Sequence, residues 1–170
     1  MDNYSCTVAL RDSAIVLKKV PVATSRLGQV SIPDVGDLVM VQFLHGDINA
    51  PIITGSLYND EDRPPVNSEG QAVLQLPHGS SKGSGVNVTA SSGDETSLVI
   101  NIGGSTVVTI KDDDPAVEIS VSDGEGLIRM DQDGTINIEG KSDVNILTQA
   151  DLNIEAGGTL NLKGSTVNIN

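Results

Sequence analysis

Few residues in this chain combine the types and spacing that chemistry requires. His45 and His78 are the only histidines and stand 33 residues apart. Metal ligands are usually presented at short, regular spacing, so neither histidine is expected to hold a metal. Cys6 is the only cysteine. It cannot form an internal disulfide, fits folding in a reducing compartment, and reads as a small strand residue and not as a nucleophile. Asp131-Gln132-Asp133-Gly134 opens like a calcium loop, but no acid follows at the spacing a full loop needs. Asp112-Asp113-Asp114-Pro115 could attract a cation, yet as a local cluster it reads as a solvated turn. There is no Ser-His-Asp or Cys-His set and no phosphate loop. The chain therefore offers no catalytic residue, and it is expected to be neither an enzyme nor a holder of any cofactor.

What the chain has instead is repetition. From Gly134 to Asn170 one short phrase, apolar–Asn–apolar, occurs five times: Ile136/Ile138, Val144/Ile146, Leu152/Ile154, Leu160/Leu162 and Val167/Ile169. Successive pairs begin 8, 8, 8 and 7 residues apart, with Asn137, Asn145, Asn153, Asn161 and Asn168 between the apolar members. Alternation with period 2 is the mark of a strand with one dry and one wet face. A short fixed period means stacked copies of one unit.

Composition agrees with thin layers. The 170 residues include 18 Gly, no Trp, one Phe and two Tyr, so the large aromatic anchors of a thick core are missing. The apolar 38% is mostly Val, Ile and Leu, which favour strands. A net charge of −13 disfavours nucleic-acid partners, whose phosphates demand cations, and anionic membrane surfaces. The excess acid suits a rigid particle that must stay dispersed. No apolar run is long enough to span a bilayer, and Met1-Asp2-Asn3 does not open a signal peptide. If the protein leaves the cell, another route than the general secretory one is expected to carry it.

The elements before the repeat read as a small barrel. Strands are expected over Tyr4–Leu10, Ile15–Ala23, Leu27–Pro33, Leu38–Leu44 and Pro51–Leu57. The continuous apolar run of Leu38–Leu44 predicts a strand covered on both faces, and Ala14–Val20 has room for at most one helical turn. Five short strands in under 60 residues suit an OB-fold barrel, the oligonucleotide/oligosaccharide-binding type. Nucleic-acid binding is nonetheless not expected. The segment offers only Tyr4, Phe43 and Tyr58 as stacking platforms, and no basic cluster beyond Lys18-Lys19.

The run Ile32 to Asn59, IPDVGDLVMVQFLHGDINAPIITGSLYN, resembles the signature of contractile-tail spike proteins. That family includes phage baseplate assembly protein V and the VgrG proteins of type VI secretion. The resemblance rests on Gly36, Asp37, Phe43, Gly46, Asp47, Pro51, Gly55, Tyr58 and Asn59. Gly36 and Gly46 would permit tight turns, Pro51 would restart a strand, and Tyr58 is expected to bury its ring while its hydroxyl reaches the backbone. The family implies that residues 1–59 are a mounting domain and that the acidic, Pro-containing stretch 60–71 links it to a shaft.

Residues 72–170 would form that shaft. Before the five regular pairs come Ala72/Leu74/Leu76, Val86/Val88, Leu98/Ile100/Ile102, Val108/Ile110, Val117/Ile119/Val121 and Ile128/Met130. Turn sequences separate them at 78–85, 91–96, 103–105, 112–115 and 123–126. Units shorten along the chain, which predicts a shaft that narrows toward its C-terminal end. An apolar face two or three residues wide cannot stand alone. Eight extended residues span roughly 26 Å, one side of a slender prism and too little to close a coil. That length also excludes the single-chain β-helix of pectin-cleaving enzymes. Three chains around one axis would bury Ile136, Ile138, Val144, Ile146, Leu152, Ile154, Leu160 and Leu162 centrally, in a closed assembly.

The expected fold is thus all-β: an N-terminal OB-fold barrel followed by a trimeric β-helix or β-prism. The resemblance implies a homotrimeric central spike of a contractile injection machine, assembled in the cytoplasm and delivered outside or into a target cell on firing. Its partners would be itself, the baseplate hub and inner tube proteins, and transiently the pierced membrane. The chain lacks the His-x-His with which some family members hold iron at a tip. The family instead implies a PAAR-repeat tip protein seated on Val167, Asn168, Ile169 and Asn170. The rival expectation is a trimeric β-fibre adhesin or other surface-recognition module.

Overall fold

A computed structural model describes residues 4–81 and 83–169. Among the described residues the chain is all-β apart from one 3-10 turn at Leu44–Gly46. Its N-terminal part is built from two antiparallel hairpins. β1 (Ser5–Ala9) pairs with β2 (Val16–Pro21), Ser5 opposite Pro21 and Ala9 opposite Val16. β3 (Val39–Phe43) pairs with β4 (Pro51–Ser56), Val39 opposite Ser56 and Phe43 opposite Pro51. A parallel bridge between Val22 and Ile53 joins the hairpins, and the Ala23 N–H donates to the Ile53 carbonyl at 2.8 Å. At this seam lie Val20 and Ile53, both at 0% exposure, the fully buried aliphatic side chains among the described residues.

Two expectations for this part are corrected. Residues 27–33 form no strand; the Thr24 hydroxyl lies 3.0 Å from the Arg26 carbonyl and 3.3 Å from that of Gln29, and the Gln29 N–H turns back to Arg26. Those local bonds compete with a ladder, and Leu27, Val30 and Val35 are left in solvent. β3 is covered on one face only, with Met40 and Gln42 exposed between half-buried Val39, Val41 and Phe43. The strand expected over Ile15–Ala23 is β2, and no helical turn forms within Ala14–Val20.

Beyond residue 70 the chain forms a seven-stranded meander. Its strands are β5 (Gln71–Leu76), β6 (Val86–Ser92), β7 (Thr96–Ile102), β8 (Thr106–Lys111), β9 (Val117–Val121), β10 (Gly126–Met130) and β11 (Ile136–Gly140). Each pairs antiparallel with its chain neighbours, so spatial order follows sequence order. The pairing lines up the alternating phrases. Leu74, Val88, Ile100, Val108, Ile119, Ile128 and Ile138 stand side by side across all seven strands. One position over, on the opposite face, run Val73, Thr89, Val99, Thr109, Glu118, Arg129 and Asn137. A single-residue slip would exchange the two faces, so this register is strongly specified.

Residues 141–169 are different. They bend at 141–142, 149–150, 157–158 and 165 and form no strand within the chain. Of their backbone groups, only the Lys141 N–H joins a backbone–backbone hydrogen bond, to the Glu125 carbonyl, among the described residues.

Candidate interaction site

The motif residues build turns first. Gly36 (φ 110) and Gly46 (φ 77) occupy the left-handed region that a side chain resists. Asp37 closes its turn by accepting the Asp34 N–H at 3.0 Å, while its own N–H donates to the Asp34 carbonyl. Asp47 Oδ1 accepts both the N–H and the Nδ2 of Asn49, at 2.9 and 3.0 Å, which fixes the reversal into β4. Pro51 opens β4 opposite Phe43, and Gly55 lies opposite Met40 next to an irregularity in the register. Gly36 and Gly46 thus sit in the turns, and the Asp37 and Asp47 side chains close them.

Tyr58 does not do what was expected. Its ring is 63% exposed and stands 6.2 Å from the His78 ring, at 35°. No backbone group accepts its hydroxyl among the described residues, and the ring faces that of His78 in the loop after Leu76. Asn59 proves more consequential than its spacing suggested. Its Oδ1 accepts the N–H groups of Glu61 and Asp62, at 2.7 and 2.9 Å, and its Nδ2 donates to Asp62 at 2.9 Å. The stretch after the hairpins therefore leaves in a defined turn, with Arg63 paired to Asp60 at 2.8 Å.

Between β1 and β3 lies an open cavity of about 800 Å³, lined by β1, by Pro33–Leu38 and by Val41, Phe43 and Ile53. Cys6 faces it as one of several small and apolar neighbours. No cluster of His, Cys, Asp and Glu suited to a metal occurs among the described residues. The acidic turns are engaged with backbone. Asp112 Oδ1 accepts the Thr96 N–H at 2.9 Å, and Asp114 Oδ1 accepts the Gln132 N–H at 2.7 Å. Asp133 accepts the Thr135 N–H at 2.8 Å, and this bond and the Thr135 hydroxyl hold its carboxyl below the ordinary carboxylate range. Each carboxylate thereby stitches one hairpin turn to itself or to the next.

The larger candidate surface is apolar. Ile136, Ile138, Val144, Ile146, Leu152, Ile154, Leu160 and Leu162 are all 51–67% exposed in the single chain. The first two lie on β11; the other six lie on the unpaired segment. Val167, Asn168 and Ile169 are likewise exposed, and Asn170 lies outside the described residues. One Asn in the earlier phrases departs from the pattern of wet-face asparagines. Asn87 is 4% exposed and donates through Nδ2 to the Ser81 and Ser84 carbonyls, at 3.0 and 3.2 Å. It pins the long 77–85 loop, and its place inside Val86-Asn87-Val88 gave no signal of that.

Charge is distributed unevenly between the two parts. Residues 1–59 carry four Lys/Arg against five Asp/Glu, and residues 60–170 carry six against eighteen. The hairpin domain is near neutral and the β region after it is strongly acidic. Among the described residues no helix is long and apolar enough to cross a membrane.

Residues 12–58 match the Type VI secretion system/phage-baseplate injector OB domain. Within that class the likeness is to VgrG spikes. The Type VI secretion system spike protein VgrG5 of Pseudomonas aeruginosa is 52% identical over 40 residues, 24% of this chain and 5% of that protein. The actin cross-linking toxin VgrG1 of Vibrio cholerae is 46% identical over 43 residues, 25% of this chain and 4% of that protein. The chain is VgrG-like over this region, and the matched stretch spans about one twentieth of either relative.

Proposed function

We propose that the protein is the homotrimeric central spike of a phage tail-like contractile injection machine. The OB domain, residues 1–59, mounts it on the hub and inner tube. Residues 60–71 lead out, and residues 72–170 form the shaft that passes through the target envelope. One observation supports this reading: some 28 residues, 142–169, form no strand and carry exposed apolar pairs with no backbone–backbone hydrogen bond in their own chain. Backbone donors and acceptors in an extended segment require partners, and here further copies of the chain supply them. Three copies bury all the apolar pairs on one axis and close the assembly.

The role is mechanical. No constellation for bond-making or bond-breaking exists among the described residues, and strands shared between subunits must part together before the shaft yields. The acidic shaft repels anionic headgroups, which suits passage through a membrane and not residence on it. The C-terminal residues Val167–Asn170 seat a PAAR-type tip protein. Assembly takes place in the cytoplasm, and firing delivers the spike outward. The OB likeness favours this reading over the adhesin, which has no comparable support.

The test is the mass and shape of the full chain in solution, by sedimentation and small-angle scattering. A mass of three chains with an elongated profile is expected. A monomer at micromolar concentration would end the trimer reading, and failure to cross-link to tube or hub subunits in an intact particle would end the spike reading.

A further inference from the structure

We infer that Asp123-Gly124 is a self-modification site, at which the backbone nitrogen of Gly124 closes on the Asp123 carboxyl and the residue is left as isoaspartate. The chemistry is local to one turn and independent of oligomeric state.

An aspartate followed by glycine is open to this reaction because no side chain shields the attacking nitrogen. The chain has two such pairs, Asp123-Gly124 and Asp133-Gly134, and no Asn-Gly. The nitrogen adds to the neutral side-chain carboxyl, one water leaves and a five-membered succinimide forms. Water then opens the ring at either carbonyl and gives aspartate or isoaspartate. One water is lost and one regained, so the mass is unchanged and no co-reactant is needed.

Asp123 and Asp133 are both exposed. Nothing stands within 4 Å of where a Cβ on Gly124 or Gly134 would lie, so a ring has room at either place. What separates the two pairs is bonding. At the second, both reactants are held. The Asp133 carboxylate accepts the Thr135 N–H at 2.8 Å, and the Gly134 N–H donates to the Asp131 carbonyl at 3.1 Å. The first of these bonds also favours the ionised carboxyl, which is the poorer electrophile. At the first pair, among the described residues, no group bonds to the Asp123 carboxylate and none accepts the Gly124 N–H.

The backbone there is left-handed for three residues running, Ser122 (φ 51), Asp123 (φ 55) and Gly124 (φ 87). Residues with a side chain visit that region singly and not in series. A turn so shaped, with its central groups unbonded, opens locally, and the nitrogen reaches the carboxyl from the opened form. Isoaspartate routes the main chain through the side-chain carbon and lengthens the turn by one atom. This turn sets Gly126 opposite Val121. Its flanks also reach both ways: the Ser122 N–H donates to the Ser105 carbonyl at 2.7 Å, and the Glu125 carbonyl accepts the Lys141 N–H at 2.9 Å. The modification therefore loosens three neighbouring connections at once.

The test keeps the full chain warm in neutral buffer, once native and once in concentrated guanidinium, and then digests it. Isoaspartate is located by electron-transfer fragmentation and by methyl transfer from S-adenosylmethionine with an isoaspartyl methyltransferase. In the native chain it should accumulate at 123 roughly tenfold faster than at 133, the factor that one or two net hydrogen bonds are worth. In guanidinium the two rates should converge, because the bonds that protect Asp133 are gone. Asp123→Glu, which needs a larger ring to close, should abolish the signal at 123 and leave that at 133 unchanged. In the aged native chain the Ser122 and Lys141 amides should exchange faster; unchanged exchange overturns the loosening. Equal native rates at the two sites, a faster rate at 133, or a preference for 123 that persists in guanidinium overturns the modification site itself.

Discussion

The meander of β5–β11 and the segment 141–169 are written in one vocabulary and fold by different rules. Both set aliphatic residues two apart, with Asn between them in the tail and Asn, Thr, Glu or Arg between most of them in the meander. In the meander each strand finds partners in its own chain, and the apolar column from Leu74 to Ile138 is assembled locally. In the segment after it the phrase is more regular, yet no in-chain strand forms. The difference lies between the phrases, not in them. Every meander phrase up to β10 is followed by a reversal, some with left-handed residues, as at 103–104 and 122–124, and some without, as at 93–95 and 112–116, whereas the chain after β11 bends without reversing. On the proposed trimer reading, the meander can order early, from short-range contacts, while the tail waits for other chains.

The strongest way to break this contrast is a charge on the tail's apolar face. Ile146→Asp would place three carboxylates around the proposed axis, each an uncompensated buried charge costing roughly 3–5 kcal/mol. Loss of the trimer in sedimentation is expected, with strand content in the meander retained. Leu147→Asp puts the same charge one residue along, on a side chain already 91% exposed, and should leave the trimer intact. If both variants assemble equally well, the axis does not run past Ile146.

A smaller effect is expected from shortening the tail. Deleting residues 163–170 removes the last apolar pair, Val167/Ile169, and leaves the three pairs above it, Val144 through Leu162. The trimer should survive, with its melting temperature lowered by a few degrees, while binding of a PAAR-repeat protein is abolished. Undiminished binding would move the cap's seat elsewhere.

The meander side of the contrast is sharpened at Asn87. Removing a buried amide that holds the Ser81 and Ser84 carbonyls should cost about 1–3 kcal/mol. Asn87→Ala is expected to speed amide exchange in the 77–85 loop without changing oligomeric state. Loss of the trimer would mean that this loop also joins the subunit interface.

How much of this was readable from residues alone follows the same division. Every alternating phrase from Ala72 to Ile138 became a strand, because period 2 is a local property and survives whatever packs on it. The turns at Gly36, Gly46 and Asp47 were readable for a similar reason, since a glycine or an Asx side chain acts within a few residues. Leu27–Pro33 misled because its apolar residues suggest a strand while the Thr24 hydroxyl offers the backbone a competing bond. Tyr58 was misjudged and Asn87 passed over because what covers a side chain is decided by a loop or domain elsewhere in the chain. Period 2 says which residues share a face and nothing about what lies on it. The partnerless state of 141–169 was not readable from the phrases, which there are the most regular in the chain.

The last Asp-Gly pair, Asp133-Gly134, supplies the mildest test of the contrast. Asp133 sits in the turn before β11, the final reversal of the meander, and its carboxylate accepts from the Thr135 N–H. Bonding to the charged form holds its pKa below the ordinary aspartate value. A carboxyl depressed on folding adds stability above its unfolded pKa, and that contribution is lost as pH falls through the unfolded value toward the lower folded one. Acidification below about pH 4 should therefore loosen this hairpin slightly. Asp133→Asn should flatten that part of the pH profile while leaving neutral-pH stability nearly unchanged, because the site is exposed and well screened. The measurement is amide exchange at Thr135 and across β11 between about pH 3 and pH 6, a window that brackets the ordinary aspartate value. If β11 exchanges at one rate across that range in the wild type, the last reversal does not depend on Asp133, and the boundary between the two regions is held by the strand pairing itself.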